Sequence, residues 1–342
     1  MAESKLGYAV KVVKNASMDK FLKEVKKASK RSGRNPAFVV KDMVHCMRKF
    51  GAGYYDYNIF KFYELTDEQR DTYLTRFRSK KLIAQYNDES YSHIFDNKNE
   101  MNEVFKDYIG RKYIDMDTAT REDIEKFYEE HDTFFCKIKT GECGHGAEVL
   151  KKEAFGSAEG FYNYVKQKDF GTIEEQIVNH PDLAKVYPYS VNCMRMITLI
   201  GDDGEPHLLL AVQKFGRNGR IVDNYGVHGP VDLETGVFLY PAHPGDTQDH
   251  RLVTKHPNTG YPLIGFQVPY FKEAKEMVLK AAMVVPQMRY IGWDVAVTPT
   301  GPVIIEGNNY CAHDFWQLPG QTPGGIGIMP TLLKIVPSFN YR

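Results

Sequence analysis

The hydrophobic pattern changes period along the chain. Over residues 18–32, 39–50 and 66–79 apolar side chains return every three or four positions, which predicts helices. Thr66-Asp-Glu-Gln69 adds a helix start, a capping hydroxyl followed three residues later by a glutamine. Between the second and third runs lies Gly51-Ala-Gly-Tyr-Tyr-Asp-Tyr57, two glycines before an aromatic cluster. Tyrosines packed under a turn are the first reading and a substrate-facing loop the second. Helices are predicted again over 97–105, 120–130 and 157–167, now alternating with strands over 132–138, 147–150 and 171–178. From residue 190 strands dominate: 190–200 and 206–215 flank the turn Gly201-Asp-Asp-Gly204, and a helix over 269–284 leads into a hairpin. There Asp294 opens the run Val295, Ala296 and Val297, and Pro299-Thr-Gly301-Pro302 returns the chain into Val303, Ile304 and Ile305. These shifts divide the chain into a mainly helical N-terminal domain (1–92), a second unit (93–181) and a strand-rich third unit (182–342).

At 342 residues the chain exceeds the length at which single cores stop growing, about 250–300, so several units are expected. Its 42% hydrophobic and 26% charged residues are those of an ordinary globular protein. No apolar run approaches the roughly 20 residues of a membrane span, and no signal-peptide pattern follows Met1, which predicts a cytoplasmic protein. Five cysteines (46, 136, 143, 193 and 311) show neither Cys-x-x-Cys nor zinc spacing, so reduced thiols are expected. Net charge is zero but uneven: residues 1–50 carry +9 and the remainder −9. The basic segment Lys20 to Arg31 has Phe21, Leu22 and Val25 on one side of a helix. A solvated helix face is the first reading and peripheral contact with an anionic membrane the second. No nucleic-acid-binding module accompanies it, and oligomeric state is not legible.

The candidate chemistry gathers at the hairpin. Asp294 lies on the outgoing strand, and Glu306 and Asn308, two residues apart, leave one face of the returning strand. Two carboxylates and an amide suit a hard divalent cation that shares its shell with water and nucleotide phosphates. Upstream, a strand delivers Lys137, then Gly141, Gly144 and Gly146 lead into another strand. Such a glycine-rich turn can face phosphate oxygens with its backbone N–H groups, although it is not a Walker loop. A lysine at the end of an apolar strand needs an anionic partner, and so does Arg195 inside the apolar run 191–200; a carboxylate or a phosphate would serve either. Glu174-Glu175-Gln176-Ile177 closes the strand joining the second and third units, an edge that can offer adenine a carbonyl and an N–H.

This order of elements resembles the ATP-grasp superfamily. Ser190-Val-Asn-Cys-Met-Arg195-Met-Ile-Thr198, Asp223-Asn-Tyr225, Asp232-Leu-Glu-Thr-Gly236, His256-Pro-Asn-Thr-Gly260 and Ile291-Gly-Trp-Asp-Val-Ala296 are similar to its sugar-transfer-associated branch. The resemblance covers about residues 93–325. It implies an α+β ATP-grasp fold, with lobes 93–181 and 182–342 gripping ATP beside the helical N-terminal domain. By the same resemblance Lys98 and Lys137 contact the α-phosphate and the adenine end. Gly141, Gly144 and Gly146 would cover the β- and γ-phosphates, with His145 either a further donor there or a solvent-facing histidine, and Glu174, Gln176 and Ile177 would form the adenine hinge. Asp182 is a candidate for the ribose hydroxyls. Asp294, Glu306 and Asn308 would ligate magnesium, with manganese as an alternative, and Arg195 is the cation at the transferred phosphate. Two departures are Lys137-Ile138-Lys139, where the family often has Lys-Pro, and Cys143 in the loop.

The implied activity is a carboxylate–amine ligation through an acyl phosphate, on an amino acid or a sugar-bearing envelope precursor. A phosphotransferase onto a sugar or lipid-head hydroxyl is the first alternative and a nucleotide-binding scaffold for glycosyltransferases the second. Arg217, Arg220, Asn224 and His228 are acceptor-site candidates, because their segment should approach the phosphate end. If the protein works on envelope precursors, it is expected in the cytoplasm or at the membrane surface.

Overall fold

The computed structural model describes residues 18–138 and 147–342. Two antiparallel sheets organise them. The smaller contains β1 (Tyr113–Asp115), β2 (Thr133–Ile138), β3 (Ala147–Lys151) and β4 (Phe170–Glu175) in the order β1-β4-β2-β3. The larger contains β5 (Met194–Ile200), β6 (Pro206–Phe215), β7 (Val227–Pro230), β8 (Tyr290–Thr298) and β9 (Gly301–Asn308) in the order β7-β6-β5-β8-β9.

Alternation in β2 decides how the small sheet is used. Phe134 and Cys136 point into a core with Ile173 and with Ile124, Phe127, Phe161 and Val165 of the helices Arg121–Glu130 and Ala158–Gln167. Successive side chains leave opposite faces of a strand, so Phe135 and Lys137 lie on the other face, beside their β4 partners Glu174 and Thr172. The first of those helices starts as its sequence predicts, in a capping box between Thr120 and Asp123.

The large sheet buries both faces. On one, Met194, Met196, Trp293, Val295, Val297 and Ile304 pack against Ala274, Val278 and Ala281 of the helix Phe271–Ala282. Ile94, Met101, Phe105 and Ile109 join the same core, so the short helices between residues 93 and 109 pack on the large sheet. On the other face, Ile197, Leu199, Val212 and Tyr290 meet Leu74, Leu82, Trp316, Leu332 and Val336. The helices Met18–Ser32 and Pro36–Phe50 build a separate core with Tyr57, Phe60, Phe62 and Tyr73, closed by Leu318 from the far end of the chain. Tyr57 is buried there and donates to Asp42 Oδ2 at 2.8 Å. Among the described residues no helix is long and apolar enough to cross a membrane.

Three predicted elements came out differently. The helix expected over 66–79 is two, Asp67–Asp71 and Arg76–Tyr86, because buried Arg78 takes the carbonyls of Asp71 and Tyr73 at the break. The strand expected over 171–178 stops at Glu175, and that over 190–200 begins only at Met194. Before Met194, Asn192 is held by the carbonyls of Leu183 and Tyr187.

Gly110 ends the helix Lys106–Ile109 at φ +54°, a conformation that strains an L side chain. A Cβ there would lie 2.3 Å from Val303 Cγ1 on β9. Gly110→Ala should therefore lose about 2–3 kcal/mol in urea unfolding, through strain and overpacking together; an unchanged midpoint would show that the helix end is not seated on the hairpin.

Candidate active site

One polar stripe crosses the large sheet. Residues paired across antiparallel strands share a face, and the register pairs His228 with Lys214, Arg195 with Asp294, and Asp294 with Glu306. Lys214 joins the stripe through Val212, which is opposite Arg195 and two residues away on β6. The Arg195 guanidinium donates to both Asp294 oxygens, Nε to Oδ1 at 2.6 Å and Nη2 to Oδ2 at 2.9 Å. Lys214 Nζ lies 3.4 Å from Asp294 Oδ1 and 3.3 Å from Asp223 Oδ1, and Asp223 Oδ2 accepts the Cys193 N–H at 2.8 Å.

Burial alone would push the Asp294 carboxyl up, but Arg195 and Lys214 hold it well below the usual carboxylate range. Glu306, across the strand pair, is raised by burial and by the Asp294 charge, with Lys137 and Arg195 working against the rise. A buried and a half-buried carboxylate so placed favour one proton or one added cation between them. Asn308, two residues on, donates through Nδ2 to the Gly292 carbonyl at 3.2 Å, which leaves its amide oxygen outside that bond. The ladder slips between the pairs Asp294/Glu306 and Val295/Ile304, so Ile305 is an extra residue, a bulge that re-aims Glu306.

The facing surface comes from the small sheet. Lys137 Nζ lies 2.8 Å from both Glu174 oxygens, and Arg111 adds Nε at 2.9 Å and Nη2 at 3.3 Å. Burial would raise the Glu174 pKa, but Arg111 and Lys137 bring it down to about 2. Arg111 also donates to the Ile304 carbonyl at 2.8 Å and the Ile305 carbonyl at 3.0 Å, linking β4 to the bulge in β9. Lys98 opens the helix Lys98–Val104, whose start is capped by Asn97. Its ammonium pKa is lowered by burial and by Lys137, against Glu306 and Glu174, so it interacts with both sheets.

Of the residues expected from sequence, the structure brings Lys98, Lys137, Glu174, Arg195, Asp294, Glu306 and Asn308 to this junction. Gly141, Gly144, His145 and Gly146 lie outside the described residues. Gln176 is exposed and Ile177 half-buried, just beyond β4. The anions that Lys137 and Arg195 required are internal carboxylates, Glu174 and Asp294. Asp182 is half-buried and paired with the exposed Lys185 at 2.8 Å. Arg217 is half-exposed, while Arg220 is exposed and donates to the Asn224 carbonyl at 3.3 Å; neither enters the stripe. His228 does, and burial, His243 and Lys214 push its pKa down to about 3. Its Nε2 is buried without a partner. Sequence reasoning passed over Lys214 and Arg111, and it quoted Asp223 in a motif without giving it a role. Lys214 carried the signal that singled out Arg195, a cation inside an apolar strand, whereas Arg111 follows a helix-ending glycine and had none.

Among the described residues no three His, Cys, Asp or Glu side chains form a metal cluster by themselves. The set present is the two carboxylates plus the Asn308 amide, all oxygen donors, which fits magnesium or manganese.

A model of the sugar-transfer associated ATP-grasp family matches residues 77–332. The solved structures most like the chain include the ATP-grasp ligase PsnB complexed with minimal precursor: 12% identity, 73% of this chain and 62% of that one, TM-score 0.42. The D-alanine-D-alanine ligase from Coxiella burnetii has 12% identity over 71% of this chain and 58% of that one, TM-score 0.39. The N5-carboxyaminoimidazole ribonucleotide synthetase from Thermotoga maritima has 13% identity over 64% and 42%, TM-score 0.37. The chain thus spans less than two thirds of the length of each. No curated protein matches it in sequence.

Because the Glu174 pKa is depressed in the folded protein to about 2, its ion pairs add stability above its ordinary value of 4.5 that is lost as pH falls toward 2. That share is on the order of 3 kcal/mol at neutral pH. The stability gap between wild type and Glu174→Gln, measured by urea unfolding, should therefore narrow steadily below pH 4.5; parallel curves would show that Glu174 is not ion-paired in the fold.

Proposed function

The chain belongs to the sugar-transfer associated ATP-grasp family, and from that premise we propose that it is an ATP- and magnesium-dependent carboxylate–amine ligase. The observation that carries this reading is the division of charge across the junction. Lys137 on the small sheet and Lys98 at the start of a helix packed on the large sheet supply the positive groups, while Asp294, Glu306 and Asn308 come from the large-sheet hairpin, with Glu306 raised by its carboxylate neighbour. Lysines suit the phosphates of a nucleotide and the oxygen ligands suit the divalent cation that accompanies it. When bound, the cation supplies neutralisation of charge on the β- and γ-phosphates.

This chain's own groups then orient and exclude. Lys98 and Lys137 hold phosphate oxygens, and Arg195 keeps Asp294 ionised and aimed by its two parallel bonds. A substrate carboxylate oxygen attacks the γ-phosphorus as ADP leaves, and an amine nitrogen then displaces phosphate from the acyl phosphate, giving an amide and releasing a proton. Burial pushes the Cys311 thiol up to about 12 and the Cys193 thiol well above its ordinary value, so neither is a thiolate poised to attack. In the proposed route the acyl group passes directly between substrates. His228, neutral at physiological pH beside Lys214, is the acceptor-side residue that best fits an uncharged polar group, with Arg217, Arg220 and Asn224 further out. An amino acid or a sugar-bearing envelope precursor is the proposed substrate class.

ADP and phosphate should be released only when a carboxylate, an amine and magnesium are all supplied, and chelation should stop turnover. Asp294→Asn and Glu306→Gln should each lower kcat by about a hundredfold or more in folded protein. Release of AMP and pyrophosphate would contradict the ligase reading, and a stable phosphorylated product made without amine would select a phosphotransferase instead.

A further inference from the structure

We infer that Arg111 is a positioning residue of the nucleotide site: it neutralises Glu174, so that the Lys137 charge is left for a phosphate, and it fixes the strand that carries Glu306. The inference rests on the ATP-binding reading above. Arg111 is buried, and its donors are all engaged. Nε and Nη2 bond Glu174, Nη1 bonds the carbonyls of Ile109 at 3.2 Å and Ile304 at 2.8 Å, and Nη2 also reaches the Ile305 carbonyl at 3.0 Å and Asn102 Oδ1 at 3.4 Å. A guanidinium has five N–H donors in a fixed fork. None remains for a ligand, so Arg111 acts through its neighbours.

The first effect is electrostatic. Glu174 and Lys137 by themselves form a neutral pair, with the ammonium drawn to both carboxylate oxygens. Arg111 gives the trio a net positive charge, and that charge sits within electrostatic reach of Lys98. A polyanion is the ligand such a surplus suits. The second effect is geometric. The extra residue of a bulge is left out of the strand ladder, and Arg111 supplies donors to the carbonyls of Ile304 and Ile305, immediately before Glu306. A lysine keeps the charge but, as a point donor, does not span both carbonyls and the carboxylate.

Titration calorimetry with ATP and Mg2+ on wild type, Arg111→Met, Arg111→Lys and Arg111→Met/Glu174→Gln separates these effects, with thermal melting as the check on folding. Arg111→Met should weaken ATP binding about tenfold or more, and adding Glu174→Gln should restore it to within about threefold of wild type, because no carboxylate then competes for Lys137. Arg111→Lys should keep ATP affinity within about threefold at saturating Mg2+ but raise the Mg2+ concentration for half-maximal binding about threefold or more. If Arg111→Met does not fold, the Mg2+ shift in Arg111→Lys decides. Wild-type affinity in Arg111→Met, no rescue in the double variant, or an unmoved Mg2+ requirement in Arg111→Lys overturns the inference alone. Failure of the wild-type protein to bind ATP overturns the nucleotide reading and this inference with it.

Discussion

Asp294 and Glu306 face each other across the β8–β9 strand pair, and the rest of the site answers the cost of that proximity. Two carboxylates at this distance cannot both keep a full negative charge in a low dielectric without compensation. Asp294 is compensated from within, by the Arg195 fork and by Lys214. Glu306 is compensated at longer range, by Lys137, Arg195 and Lys98, and its pKa is raised. The asymmetry gives the pair its chemical character: one carboxylate locked in place, the other receptive to a cation.

The same economy of charge joins the lobes. Lys137, Glu174 and Arg111 form a second buried cluster on the small sheet, and Arg111 extends from it to the β9 bulge beside Glu306. Lys98 sits between the clusters, on a helix whose apolar residues belong to the large-sheet core. Thr172 reinforces the contact by donating to Asn99 Oδ1 at 2.8 Å. The junction therefore carries two charge clusters of opposite tendency, each held by groups that do not themselves need to touch a ligand.

Much of this was legible in the sequence. The hairpin, its oxygen-bearing side chains and the two strand cations follow from alternation and turn residues, because a polar group inside an apolar strand stands out against a period of two. The family resemblance then suggested roles for Lys98 and the hinge, which no periodicity contains. What sequence did not disclose was the identity of the counterions. That Lys137 needed an anion was clear; that the anion is Glu174, shared with Arg111, depends on the pairing of β2 with β4 and on a residue in a connection with no pattern of its own. The short strands β1 and β7 went unread for a related reason, since three or four residues are too few to establish a period. The acceptor candidates were taken from one stretch of chain, and the fold separates them: His228 lies on β7 in the stripe, while Arg220 points to the Asn224 carbonyl at the surface.

If the two clusters define one nucleotide site, the cation and the triphosphate occupy the space between them. A crystal structure with Mn2+ and a non-hydrolysable ATP analogue, with the metal located by its anomalous scattering, tests this directly. The expected result is a manganese peak coordinated by Glu306 and Asn308 beside Asp294, with the phosphates directed to Lys98 and Lys137. A peak away from the β8–β9 hairpin, or an analogue bound where neither lysine reaches it, would contradict the charge division on which the functional reading stands.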